Sequence, residues 1–281
     1  MVRWVSAAFV AATLLLASSV HATSPKDPIE ASMLVSGTVE VLPDGKVGSY
    51  ALYKAEKLPP AVLDLIKRVA PTWKFELGEA HTTPFQEKMS LRIVATNADD
   101  RHMTLRVASA DFSDKDEAEG ATITWARRVS PVYPSLSRNN NVSGTVYLLV
   151  RVGQDGKVTD VSAEQVNLGV SVPSAARMAE FREDLAHAAI KASRYWKFQL
   201  PTSGNLVQAP YWDARIPVGF ITSSGSETPY GEWDVYVPGP REHIAWAEDS
   251  ALAAAAPDAI PDGSIHLLGR GTHLISPPAP N

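Results

Sequence analysis

Catalysis needs a nucleophile, a paired acid and base, or a metal cage, and this 281-residue chain is poor in all three. It has no cysteine, which removes thiol nucleophiles and thiolate metal sites. Its seven histidines stand at 21, 81, 102, 187, 243, 266 and 273, with no pair at i, i+4 and no His-Glu-x-x-His. His243, His266 and His273 gathered around a metal would be the sharp reading; exposed loop histidines are the plainer one, and the spacing favours it. Glu180, Glu183 and Asp184 crowd one side of a helical stretch, which reads as a solvated face rather than an acid/base pair. Gly269-Arg270-Gly271-Thr272 is not followed by a helix pattern, so it is no phosphate cradle, and no Gly-x-Ser-x-Gly elbow occurs. The expectation is a protein that is not an enzyme and uses no cofactor. The net charge of −5 and pI near 5.8, with scattered basic residues, argue against nucleic acid as a partner.

The remaining chemistry belongs to the main chain. Arg215-Ile216-Pro217-Val218-Gly219-Phe220 reads as a strand with Ile216, Val218 and Phe220 on one face and Arg215, Pro217 and Gly219 on the other. Proline has no backbone donor and belongs on an edge strand. An edge exposes N–H and C=O groups that an extended peptide can satisfy. The spacing therefore predicts an edge strand over residues 213–221 as the partner site, with Arg215 as a side-chain contact. The plainer reading is that Pro217 only blunts the edge against aggregation.

That strand needs a scaffold. Val146, Leu148, Val150 and Val152 alternate with Thr145, Tyr147, Leu149 and Arg151, and Asp155-Gly156 marks a hairpin turn. From Pro173 to Ser193 the residues Met178, Phe181, Leu185, Ala188, Ala189 and Ala192 fall at helical spacing, so Phe181 and Leu185 are expected to pack on Val146, Leu148 and Val150. Upstream, Pro131-Val132-Tyr133-Pro134 holds Ser130 and Tyr133 extended, which would lay the Tyr133 ring over the helix. Downstream comes Trp196-Lys197-Phe198.

In this order, the Pro-x-Tyr-Pro entry, the Val-x-Gly strand opening, the Asp-Gly-Lys-Val turn and the Trp-Lys-Phe resemble the C-terminal domain of the TonB family, over roughly a third of the chain. The resemblance implies a Gram-negative periplasmic module that docks onto an outer-membrane transporter, or another envelope protein, by strand addition. It places Arg215, Ile216, Val218 and Phe220 at the docking strand, with Pro131, Tyr133 and Pro134 beside it. It also raises an inner-membrane proton-driven pump as a partner. The family's energy transducers, however, carry a serine four residues before a histidine in the anchor, and position 17 here is alanine. A periplasmic enzyme or metal binder is the third reading.

Residues 33–77 look like a worn copy of the same unit. Val35-Ser36-Gly37-Thr38-Val39 repeats as Val142 to Val146, Asp44-Gly45-Lys46-Val47 as Asp155 to Val158, and Trp73-Lys74-Phe75 as Trp196 to Phe198, in the same order. Leu91–Ala95 and Met103–Val107 read as two further strands. The expected fold is α+β: two small domains, 23–112 and 113–222, each a β-hairpin crossed by a helix with further antiparallel strands. The acidic run from Asp111 to Gly120 divides them.

The ends complete the reading. Residues 1–22 have Arg3, an apolar run from Val5 to Val20, and Val20-His21-Ala22, a signal-peptide pattern with cleavage between Ala22 and Thr23. The rival reading keeps this segment as an inner-membrane anchor, although a bilayer takes about 20 apolar residues. Residues 223–281 read as a Pro/Ala-rich, partly disordered tail, with Tyr230, Trp233, Tyr236 and Trp246 laid on the domain surface. A weak hairpin is expected, pairing Ile265–Leu268 with Thr272–Ile275. If the edge were found already paired with the tail at Trp233 to Val237, the site would move elsewhere and the tail would be a built-in competitor.

Overall fold

A computed structural model of the chain describes residues 29–77, 81–99, 102–114, 119–222, 225, 228–247, 257–268 and 272–275. Residues 1–28, with the expected cleavage junction at Ala22/Thr23, lie outside them. The fold is α+β, with mostly antiparallel sheets and few helices.

In the first half, β1 (Glu30–Val41) turns at Asp44-Gly45 into β2 (Val47–Leu52), and helix α1 (Pro60–Val69) buries Val62, Leu65, Ile66 and Val69. Pro60 occupies the first helical turn, where its missing N–H has no intrahelical partner to lose. Then come β3 (Phe75–Glu76), β4 (Phe85–Asp99) and β5 (His102–Asp114). β4 lies antiparallel to β1 from Ala31↔Ala95 to Val41↔Phe85, and β5 lies antiparallel to β4 from Glu87↔Asp114 to Asp99↔His102. The two short strands expected here are pieces of these longer ones. A division after residue 112 falls inside β5, where Asp111 and Phe112 are buried.

The second half runs β6 (Thr124–Arg127), α2 (Ser135–Asn139), β7 (Gly144–Gly153), β8 (Val158–Leu168), α3 (Ala175–Ser193), β9 (Lys197–Gln199) and β10 (Tyr211–Phe220). The Ser174 hydroxyl caps α3 by accepting from the Arg177 N–H at 3.3 Å. Phe181 and Leu185 are buried in one cluster with Val146, Leu148 and Val150. β7 lies between β8 and β10, just as β1 pairs with both β2 and β4.

The repeated motifs recur for a mechanical reason. Gly45 (φ 77°) and Gly156 (φ 71°) turn the two hairpins with left-handed backbone. The carbonyl of Gly45 accepts from the Phe75 N–H at 2.8 Å, and that of Gly156 from the Phe198 N–H at 2.8 Å. A Cβ on either glycine would run into the carbonyl oxygen of the same phenylalanine. Turn and Trp-Lys-Phe segment thus form one unit, with Trp73 and Trp196 sealed beneath it at 1% exposure each.

The described part of the tail is packed. β11 (Asp234–Tyr236) pairs with the start of β1, and Val237 bridges to Leu168 at the end of β8. A 3-10 turn at Pro257–Ala259 sits against β4, β5 and β10. β12 (His266–Leu267) pairs with β10, and β13 (His273–Leu274) with β3. The expected hairpin is therefore replaced: its arms pair with two different strands. Two-residue arms gain little from each other, whereas β10 and β3 offer ladders already in place. The tail also ties the halves together around Arg92, which donates to the Asp258 carbonyl (2.7 Å), the Ser32 hydroxyl (2.8 Å) and the Tyr147 hydroxyl (3.2 Å). Burial pushes the Tyr147 phenol up to about 12.

Candidate functional site

β10 is antiparallel to β7 from Tyr211↔Gly153 to Phe220↔Gly144. Ile216, Val218 and Phe220 are buried against the α3 side of the sheet, so their side chains belong to the core and only the main chain is available to a partner. In an antiparallel ladder a residue's N–H and C=O point to the same side, and sides alternate. On β10 the odd-numbered residues face away from β7. The Asp213 carbonyl accepts from the Leu268 N–H (2.8 Å), and Arg215 stands opposite His266. The Pro217 carbonyl accepts from the Gly263 N–H (3.2 Å), and the Gly219 N–H donates to the Asp262 Oδ1 (3.0 Å). Pro217 thus sits at an outward position, where its missing donor breaks no bond to β7. β10 is therefore not the edge strand expected: residues 262–268 of the tail, β12 among them, lie along its outer side.

Arg215 is a different residue from the one expected. Its side chain is 1% exposed and forms a two-pronged pair with Glu164, Nε to Oε2 at 2.7 Å and Nη2 to Oε1 at 3.0 Å. Glu164 is fully buried and also takes Arg241 of the tail, Nε to Oε1 at 2.8 Å. The β7–β8 register slips by one between Tyr147↔Gln165 and Leu148↔Ala163, leaving Glu164 as the extra residue of a bulge. Arg215 is therefore an internal ion-pair partner, out of reach of a docking segment. Beside it, Arg151 pairs with Asp213 at 2.8 Å through both Nε and Nη2, with its guanidinium against the rings of Tyr211 (3.9 Å) and Trp246 (5.0 Å).

The Pro131–Pro134 entry meets the far end of the same strand. The Tyr133 ring lies edge-on to Phe220, centroids 5.5 Å apart, packed on the cluster that includes Phe181 and Leu185, and its hydroxyl donates to the Val142 carbonyl. Partial burial raises its phenol above the usual range. Pro131 and Pro134 are half-buried, with Pro134 leading into α2, while Val132 between them is 85% exposed. Asp184, assigned above to a solvated face, instead accepts from the Ser137 N–H (2.9 Å) and hydroxyl (2.7 Å), fixing α2 on α3.

Three residues of this region escape sequence reading. Glu164 looks like any polar residue of an amphipathic strand, and its partner Arg215 is 51 residues away. Asp262 and His266 sit in two-residue features without periodicity. His266 Nδ1 lies 3.1 Å from Asp111 Oδ1 of β5, across the slot that holds residues 262–268. Among the described residues, no group of three or more His, Asp or Glu could hold a metal ion, and no helix is long and apolar enough to cross a membrane.

No family model, curated protein or solved structure matches the chain.

Proposed function

We propose that this chain is a periplasmic protein-binding module of the TonB C-terminal type, which docks onto an outer-membrane transporter or another envelope protein. The partner adds an extended, antiparallel segment to the outer edge of β10. One observation carries the reading. Among the described residues, that edge is held by a two-residue strand and three single hydrogen bonds, although β10 itself is ten residues long and fully laddered to β7. Main-chain bonds of this kind contribute about 1 kcal/mol each, so a segment running the length of the edge has more to gain than the one now resting on it. Tyr133 and the exposed Val132 lie at the Phe220 end, where such a segment would emerge.

The test is titration of the full chain with peptides from the N-terminal periplasmic segments of outer-membrane transporters. Each binder is then made in two N-methylated forms, blocking alternate amides. Strand addition requires one form to lose binding and the other to keep it, because only every second N–H faces β10. Absence of binding by every segment overturns the transporter partner, and equal binding by the two methylated forms overturns strand addition.

A further inference from the structure

Residues 262–268 (Asp-Gly-Ser-Ile-His-Leu-Leu) do more than cover a strand edge. They treat its two sides differently, with the period of two that a bound strand shows. Ile265 and Leu267 pack against the core between the sheet and α3. His266 and Leu268 take the opposite side, His266 facing Asp111 of β5 and Leu268 joining Leu149, Ile244 and Trp246. Asp262 supplies a carboxylate to the one outward N–H beyond Pro217. At Gly263 the backbone turns left-handed (φ 72°), so the tail leaves the edge before reaching its end.

We infer that residues 262–268 are a built-in stand-in for the partner strand, and that the partner carries the same chemistry. This rests on the reading of the β10 edge as the docking site. The partner is an extended segment with apolar residues at the positions of Ile265, Leu267 and Leu268. It has a cationic residue at the position of His266, opposite the carboxylate of Asp111. Because it need not turn at the position of Gly263, it stays on the edge past Pro217 and bonds to the Gly219 N–H through its own main chain. That added length lets it displace a strand tethered in cis, which otherwise competes at the high effective concentration of a short linker.

The probe is a labelled peptide of the sequence 261–268, Pro-Asp-Gly-Ser-Ile-His-Leu-Leu, titrated against the full chain and against its His266→Pro variant. The proline removes the cis strand's donor opposite Arg215 and leaves the rest of the tail in place. The peptide should bind the variant about tenfold more tightly than the parent chain, the weight of one to two ladder hydrogen bonds. Replacing the peptide's histidine with lysine should tighten binding about threefold, and glutamate should weaken it about tenfold. Asp262→Ala, which removes one exposed side-chain bond, gives a second opening with a gain of about threefold and keeps the test open if His266→Pro does not fold.

Equal affinity for parent and opened chains overturns the stand-in, and equal affinity of the lysine and glutamate peptides overturns the match at Asp111. If transporter segments bind while amide exchange at Gly263 and Leu268 stays slow, the inference falls and the docking reading moves to another surface. If the 261–268 peptide binds the opened chain and no transporter segment does, the inference stands and the transporter reading falls.

Discussion

Replacing Glu164 with glutamine probes the point at which tail, bulge and β10 meet. Its carboxylate is the buried counter-charge of Arg215, which is 1% exposed, and it also anchors Arg241. Glutamine preserves shape and one acceptor but takes the Glu164 charge away from the buried Arg215 guanidinium. Breaking a buried pair in this way costs about 3–5 kcal/mol. Arg241 is the weaker arm: its side chain is 39% exposed, solvent screens the pair, and Arg241→Ala should cost only ~1 kcal/mol. The double variant Glu164→Leu with Arg215→Met removes both buried charges together. Apolar replacements often match an ion pair in stability, so the double variant should lose less than Glu164→Gln alone. The assay is urea unfolding followed by the fluorescence of the seven tryptophans. A loss below about 1 kcal/mol for Glu164→Gln, or a double variant as unstable as the sum of its singles, would refute the assignment of Arg215 to the interior.

Gly156→Ala and Gly45→Ala each place a Cβ on left-handed backbone and against a phenylalanine carbonyl, and each should cost at least ~1–2 kcal/mol; thermal melts within 1 °C of the parent would contradict the turn geometry. The Tyr147 phenol, lifted by burial to about 12 from an unfolded value near 10, makes stability fall with alkali. Between those values the unfolded chain gives up the proton and the folded chain keeps it, so the contribution is intact below about pH 10. By about pH 12, roughly 2 kcal/mol is gone. Tyr147→Phe should flatten that part of the profile, and urea midpoints at pH 9, 10 and 11 with the same slope in both proteins would count against it.

What sequence could reveal follows from what each element depends on. The α3 stripe and the β7 alternation each lie within one segment, so their periods could be read directly. The two hairpin turns were legible because positive φ demands glycine at Gly45 and Gly156, and the Phe75 and Phe198 contacts tie each turn to its Trp-Lys-Phe segment. The β8 bulge was not, since a one-residue slip leaves no mark on composition. Arg215 was misread for the same reason: its charge suggested the surface, and only the bulge that re-aims Glu164 makes an interior position tolerable. The two tail strands were legible but not their partners, because β12 and β13 are two residues each and pair with other parts of the chain.

The two halves place the same strand in the same position and finish it differently. β4 pairs with β1 as β10 pairs with β7, and the outer side of β4 is closed by β5 along nearly its whole length. At roughly 1 kcal/mol net for each ladder bond, β5 is a permanent part of its sheet. Only two residues separate it from β4 in sequence, so its closure entropy is small. On β10 the corresponding side carries two ladder pairs and a few single bonds, supplied by a segment about fifty residues further along the chain. Such a segment opens at a free energy well below that of global unfolding. Pro217 fits this difference. A proline on the outer side of β4 would delete a bond from an obligatory ladder, whereas on β10 it limits how firmly any strand can be held. On the proposed reading, this keeps the edge from becoming a second permanent seam and leaves its occupant exchangeable.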